Sequence, residues 1–427
     1  MRTFDAALSS NRIETLLLWL VSFSSTLGVL SVGMVGDTLI PPAPILAVLY
    51  VAYGVFKGRG RLRFTRTRSG RLLMAYVLYC CLTVLLPCTV GLADHVDLVL
   101  KGLLVLTSQV VLYLTVIMNP SASRAPCVLS GLLVGAAINA VYGIYQYIGS
   151  FHDLPAVTPP SPIPIADPVI LHRAQGLQAE PSYLAALLVP AVLLWIGMPK
   201  RKARTWLWGP VLLIGLVVSF SSGVLVLPLA IGVYAFLKLT SITGSPMRLN
   251  RLLLNSIVVV LLVVILTGAL LLVAPEYYLD RLAVVLDGFM PTAYQNAERW
   301  DTIKLALNEA LVHPLGVGYN VGPFYLERIA ASPYGARLHS LFARLMLEVG
   351  FVGTLLFCTF VLWPTWRILR RNKQSAAQAV ALSSVASLLY SFLTSNNLFT
   401  FQWVLWGLSA LLACQEETYG AKRVIGS

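Results

Sequence analysis

The sequence predicts an all-α polytopic membrane protein with about twelve transmembrane helices and a large outer-side loop containing an amphipathic helix. Three observations predict it. The chain is 57% hydrophobic and 11% charged, with a mean hydropathy of +0.78, whereas soluble domains carry roughly 25% charged residues. Apolar runs of membrane length recur from one end to the other, so residues 1–427 read as a single integral membrane domain. Lys and Arg cluster in short segments between those runs, as they do in cytoplasmic loops.

The elements follow in order. The first apolar run, Ile13 to Met34, is too long for a cleaved signal sequence and lacks a small-residue cleavage site, so it reads as a span. Spans one and two occupy about 13–34 and 39–56, joined at Pro41-Pro42. Lys57, Arg59, Arg61, Arg63, Arg66, Arg68 and Arg71 follow without an acid, which sets that loop inside. Spans three to six lie at about 72–92, 98–118, 127–150 and 182–198, and Lys200, Arg201, Lys202 and Arg204 return the chain to the inside. The apolar stretch 207–239 is split at Ser219-Phe220-Ser221-Ser222-Gly223 into two short spans, because one helix would reverse every later orientation. Spans nine to twelve, at about 252–274, 340–363, 375–395 and 398–414, complete the bundle with both termini inside.

Two polar stretches then fall on the outer side, residues 151–182 and 275–339. The second is the longer, and loops of that length are usually functional or disordered. It holds an expected helix capped by Asn296, with Trp300, Ile303, Leu307, Ala310 and Leu311 on one face. Such a helix would lie on the membrane surface or over the bundle as a lid.

The net charge of +13 would suit nucleic acid, but its placement in short inner loops excludes that partner. All five histidines fall on the outer side, while Asp5, Glu14, Glu416 and Glu417 are the acids placed inside. The six cysteines sit within or at the ends of apolar spans, so no disulfide framework and no metal-ligand spacing emerges. Span interiors carry little charge beyond Lys101, Arg344 and Glu348. An ion-coupled transporter would keep ionisable groups near the midplane, so their scarcity weighs against a pump and favours chemistry at the outer surface.

Three outer clusters can carry that chemistry. In Arg173-Ala174-Gln175-Gly176-Leu177-Gln178-Ala179-Glu180-Pro181-Ser182-Tyr183, Pro181 suits a first helical turn and Glu180 sits at its positive end. Glu298-Arg299-Trp300 opens the loop helix. Arg337-Leu338-His339-Ser340 opens span ten, where a helix N-terminus disfavours imidazolium and leaves His339 able to accept a proton. Each has a plain structural alternative, since Glu180 could simply start a helix and His339 could simply cap or pack.

These segments, together with His313-Pro314-Leu315-Gly316-Val317-Gly318 and Glu348-Val349-Gly350-Phe351-Val352-Gly353, resemble the O-antigen polymerase and ligase family (Wzy/WaaL type) across roughly residues 170–360. The chain departs from that family at Ser219 to Gly223, where many members carry a Ser-Arg pair and no Arg follows here. The resemblance implies a GT-C-like, metal-independent inverting glycosyltransferase in the bacterial cytoplasmic membrane. It would need no cofactor and would move glycans from undecaprenyl pyrophosphate carriers. Arg173, Arg299 and Arg337 would then bind the pyrophosphate or glycan, because guanidinium groups stabilise departing phosphate charge bidentately. His339 would be the general base, with Glu180 orienting a sugar or sharing that role. The acceptor would be a second lipid-linked repeat unit for a polymerase or lipid A-core (or a protein) for a ligase. The Glu180-Pro181-Ser182-Tyr183 run looks more like polymerases. A lipid-linked glycan flippase is the remaining alternative.

Overall fold

A computed structural model describes residues 12–29, 33–35, 38–56, 67–118, 123–166, 169–198, 203–232, 294–330, 338–371, 374–394 and 398–425, and the single residue Leu261. Among these, five helices are long and apolar enough to cross a membrane: Arg68–Thr89, Ala93–Ile117, Arg124–Gly149, Leu341–Arg370 and Ser375–Leu393. Shorter apolar helices cover Pro42–Phe56, Pro181–Gly197, Trp208–Val218 and Ser222–Gly232. The ninth expected span, apart from Leu261, and residues 275–293 lie outside the described residues.

In chain order the helices are α1 (Arg12–Ser24), α2 (Pro42–Phe56), α3 (Arg68–Leu82, continued by short turns to Thr89), α4 (Val96–Ile117), α5 (Arg124–Gly149), α6 (Pro181–Gly197), α7 (Ala203–Val218) and α8 (Ser222–Gly232). They continue with α9 (Tyr294–Val312), α10 (Gly322–Ala330), α11 (Leu341–Arg371), α12 (Ser375–Thr394) and α13 (Thr400–Ile425). Two antiparallel hairpins accompany them, β1–β2 (Gly33–Val35 with Thr38–Ile40) and β3–β4 (Ser161–Ala166 with Val169–Arg173).

Small residues let the helices approach closely. Gly131 of α5 faces the backbone of Trp19 on α1, where an added Cβ would come within 2.8 Å of the carbonyl oxygen. The serine-rich α12 runs against α6, where Ser383 Oγ donates to the Pro190 carbonyl at 3.0 Å. It also meets α13, where Ser384 and Ser409 share a 2.7 Å hydrogen bond. Between α3, α4, α11 and α13 the core is aromatic: Tyr76 meets Phe357 (5.3 Å between ring centroids), Tyr113 meets Phe360 (5.1 Å) and Phe357 meets Trp406 (5.6 Å). Offset and edge-on geometry of this kind adds to simple burial.

One end of the bundle is tied by a buried charge. Arg124, at the start of α5, lies 3.5 Å from Glu14 Oε1 of α1, donates to the Tyr50 hydroxyl of α2 and donates to the Thr115 carbonyl of α4 at 2.7 Å. Four helices are thereby fixed at the Arg124 end. The candidate residues gather at the opposite end.

Three local expectations change. Helix α1 ends at Ser24 and α2 begins only at Pro42, because Gly33–Val35 and Thr38–Ile40 pair as β1 and β2 in place of helix. The stretch 151–182, expected outside, contains β3–β4, whose Pro162 and Pro164 stand two apart, so both missing N–H donors fall on one strand edge. Span ten is broken: Gly350 has φ 61 and ψ −166, so α11 is two helices meeting at a kink.

Candidate functional site

The site is built first on α5, whose amide side chains hold the segment after β4. Gln146 Oε1 accepts from the backbone N–H groups of Gln175 (3.1 Å) and Gly176 (2.7 Å). Its Nε2 donates to the Gly176 carbonyl at 3.1 Å and to Thr158 Oγ1 at 2.7 Å. Two turns earlier, Asn139 Oδ1 accepts from Leu177 N and Gln178 Nε2, both at 3.1 Å, while Asn139 Nδ2 donates to the Thr26 carbonyl at 3.1 Å. Gly176 is left-handed (φ 61), and a Cβ there would press on the Asn139 carbonyl at 2.9 Å. Residues 174–178 therefore have little freedom to move.

Arg173 leads into this clamp. Its Nε donates to the Ser219 carbonyl at 3.1 Å, and Ala174 N donates to the Val218 carbonyl at 3.0 Å. The end of β4 thus takes up the last carbonyls of α7, which would otherwise be orphaned. The split expected at Ser219 to Gly223 is where α7 stops, with Phe220 at φ 44.

Glu180 is the exposed N-cap of α6, extended at φ −145 and ψ 153, and its Oε2 accepts from Ser182 Oγ at 3.1 Å. A carboxylate here is stabilised by the positive end of the helix. The Tyr390 hydroxyl of α12 donates to the Ser182 carbonyl. Gly223 lies flat on the Tyr390 ring, where a Cβ would fall 2.8 Å from the ring carbon Cζ. Tyr390 is therefore the pivot joining α6, α8 and α12.

His339 stands half-buried immediately before α11. Its neighbour Ser340 accepts from Ala343 N at 3.3 Å as a helix cap, and donates to the Phe392 carbonyl at 2.7 Å. The Phe342 and Phe392 rings pack at 5.4 Å. Tyr390 and Phe392 are two residues apart on α12, so they differ by about 3 Å in height and about 200° in direction. Glu180 and His339 accordingly flank the last turn of α12, at one end of the bundle and at nearly one level. The structure brings Arg173, Glu180 and His339 to that end. Arg299 falls within α9 by its backbone, with its side chain outside the description, and Arg337 lies outside the described residues.

The two glycine-rich motifs meet directly. Val317 N donates to the Leu347 carbonyl at 2.9 Å, Gly318 N to Glu348 at 3.0 Å, and Phe351 N to Pro314 at 3.0 Å. The 313–318 turn thereby fills the break in α11 and satisfies the carbonyls freed there. Beside it Arg344 Nε donates to Glu348 Oε1 at 2.9 Å and its NH2 donates to Asn320 Oδ1 at 2.9 Å, with the Glu348 side chain 1% exposed. At the other side of the turn Tyr325 donates to Glu309 Oε2 at 2.7 Å and meets His313 Nε2 at 3.0 Å. Burial, then the Glu309 carboxylate, raises the Tyr325 hydroxyl above the ordinary phenol range.

Sequence reasoning missed Gln146, Asn139 and Tyr390. The first two gave a faint signal as amides on an apolar span, since a buried amide must find partners. Tyr390 gave none. Among the described residues no group of three His, Cys, Asp or Glu side chains is placed to hold a metal ion. No family model matches the chain, and no curated protein matches it.

Proposed function

We propose that this chain is a membrane glycosyltransferase that polymerises repeat units carried on undecaprenyl pyrophosphate, within a twelve-span, GT-C-like architecture of the O-antigen polymerase and ligase type. The observation that carries the proposal is that Arg173, Glu180 and His339 all lie at one end of the bundle, Glu180 and His339 on either side of the last turn of α12 and Arg173 at the end of α7. In this reading the end opposite Arg124 faces outward from the cytoplasmic membrane of a bacterium and both termini face inward, in keeping with the basic inner loops.

The chemistry follows from the residue types. His339 removes the proton from an acceptor hydroxyl while that oxygen attacks the anomeric carbon. The bond from that carbon to the pyrophosphate oxygen breaks on the opposite face, inverting the centre. Arg173, Arg299 and Arg337 take up the charge left on the diphosphate. Glu180, held by Ser182 at the helix start, hydrogen-bonds a sugar hydroxyl.

The test is purified protein given lipid-linked repeat units alone. Lengthened lipid-linked glycan is the expected product. No reaction until lipid A-core is added would make the chain a ligase. No glycosyl transfer with either acceptor, alongside movement of the lipid-linked glycan across the bilayer, would replace the reading with a flippase.

A further inference from the structure

The segment between α9 and α10 has a property that its place in a polar loop conceals. Tyr319 and Asn320 pack on Gly102 of α4, where an added Cβ would lie 3.1 Å from the Tyr319 ring and 3.0 Å from Asn320 Cγ, and Asn320 Nδ2 donates to the Leu98 carbonyl at 3.0 Å. Gly102 lies five residues inward from Asp97 and one from Lys101, the exposed pair at the polar boundary, so this contact is about 2–7 Å below that pair at 1.5 Å per residue. The α3 side agrees. Tyr319 N donates to Thr83 Oγ1 at 3.1 Å and the Tyr79 hydroxyl donates to the Leu315 carbonyl at 3.0 Å. Thr83 and Tyr79 are six and ten residues inward from the end of that apolar stretch at Thr89, about 9 and 15 Å.

Helix α10, by contrast, sits at the boundary. Arg328 donates to the Gly91 carbonyl and the Phe324 ring stacks on His95 at 5.7 Å. The chain therefore descends through the end of α9, turns, and climbs back to α10.

Its backbone is equipped for that depth. The N–H groups of Gly316, Val317, Gly318, Tyr319 and Val321 all donate to protein acceptors. Non-helical backbone survives at membrane depth only when protein satisfies it in this way. Yet Leu311, Val312 and Leu315 are 69%, 66% and 55% exposed, and Leu78, Leu82 and Leu85 of α3, the helix whose Tyr79 hydroxyl meets the Leu315 carbonyl, are exposed as well.

We propose that residues 311–320 form a re-entrant element in the leaflet at the Arg173 end, with Leu311, Val312 and Leu315 seated among phospholipid acyl chains. This rests on the membrane-spanning helices and is independent of glycosyl transfer. A photoreactive diazirine amino acid placed singly at Leu315, at Leu78 as the lipid-facing reference and at Asp301 as the polar reference would test it. The protein is reconstituted in vesicles of one synthetic phospholipid, irradiated and weighed intact by mass spectrometry. Phospholipid adducts at 315 should approach those at 78 and exceed those at 301 by roughly tenfold. Water adducts at 315 at the level seen at 301, or crosslinks from 315 to protein, would overturn the proposal. A diazirine side chain is apolar and adds no charge, so the 315 protein should fold; melting like that of the 78 protein verifies this before adducts are compared.

Discussion

Replacing Gly350 by Ala tests how tightly the 313–318 turn is locked into the break of α11. At φ 61 and ψ −166 the backbone occupies a region that only glycine enters cheaply, and forcing alanine there costs about 1–3 kcal/mol. The new Cβ would also meet the Pro314 carbonyl and lie 2.6 Å from the Leu315 carbonyl carbon, both backbone atoms that cannot swing aside. The alternative is to release the turn, losing the three hydrogen bonds of Val317, Gly318 and Phe351 at about 0.5–1.5 kcal/mol each. Either route costs on the order of 2–4 kcal/mol. Release relieves both the strain and the contact with backbone atoms, so amide hydrogen exchange across 314–320 should accelerate by roughly 30- to 700-fold, at tenfold per 1.4 kcal/mol. Gly232→Ala is the matching control, because its Cβ would meet nothing within 4 Å and its backbone is not left-handed. Exchange in the Gly350→Ala protein no faster than in the Gly232→Ala protein, with equal melting temperatures, would refute the argument.

Other consequences are as definite. His339→Ala and Arg299→Ala should each lower the initial rate of glycan elongation by about 100-fold or more while leaving the amount in the membrane unchanged, and wild-type product length and yield from both would sink the mechanism. Gln146→Ala strands the N–H groups of Gln175 and Gly176 in a buried setting, so melting of the solubilised protein should report a loss of about 3 kcal/mol or more; an unaltered melt would mean the clamp is dispensable. Tyr390→Phe removes one hydroxyl bond to Ser182 and should cost about 1 kcal/mol. Gly223→Val, which drives a side chain into the Tyr390 ring, should cost more, and the reverse order would show that Tyr390 is not the pivot.

What the sequence made legible depended on contrast. The end of α7 at Val218 could be read because polar serines and a glycine interrupt an apolar run. The helix of the large loop could be read from its apolar period, although it is already helical at Tyr294, two residues before the expected Asn296 cap, and Trp300 and Leu311 of the expected apolar face are exposed while Thr302, Ala306 and Ala310 are buried. The break at Gly350 was hidden because apolar residues resume directly after Glu348, and one glycine in such a run looks like helix packing. The β3–β4 hairpin was hidden because its alternating prolines carry the signature of loop. Arg173, Glu180 and His339 stood out as charged or titratable groups at helix starts. That they share one end of the bundle could not be seen, since Arg173 is placed by the Gln146 clamp and the other two by Tyr390 and Phe392, aromatic residues like many others in the chain.

The amide clamp on residues 174–178 has a consequence for the conditions under which the molecule keeps its shape. Gln146 and Asn139 neither gain nor lose protons, and they carry no net charge that dissolved ions could shield. Acid or brine that would loosen a carboxylate-held loop leaves this one in register. The alignment of Arg173 should therefore survive swings in its surroundings that alter the ionisation of everything near it.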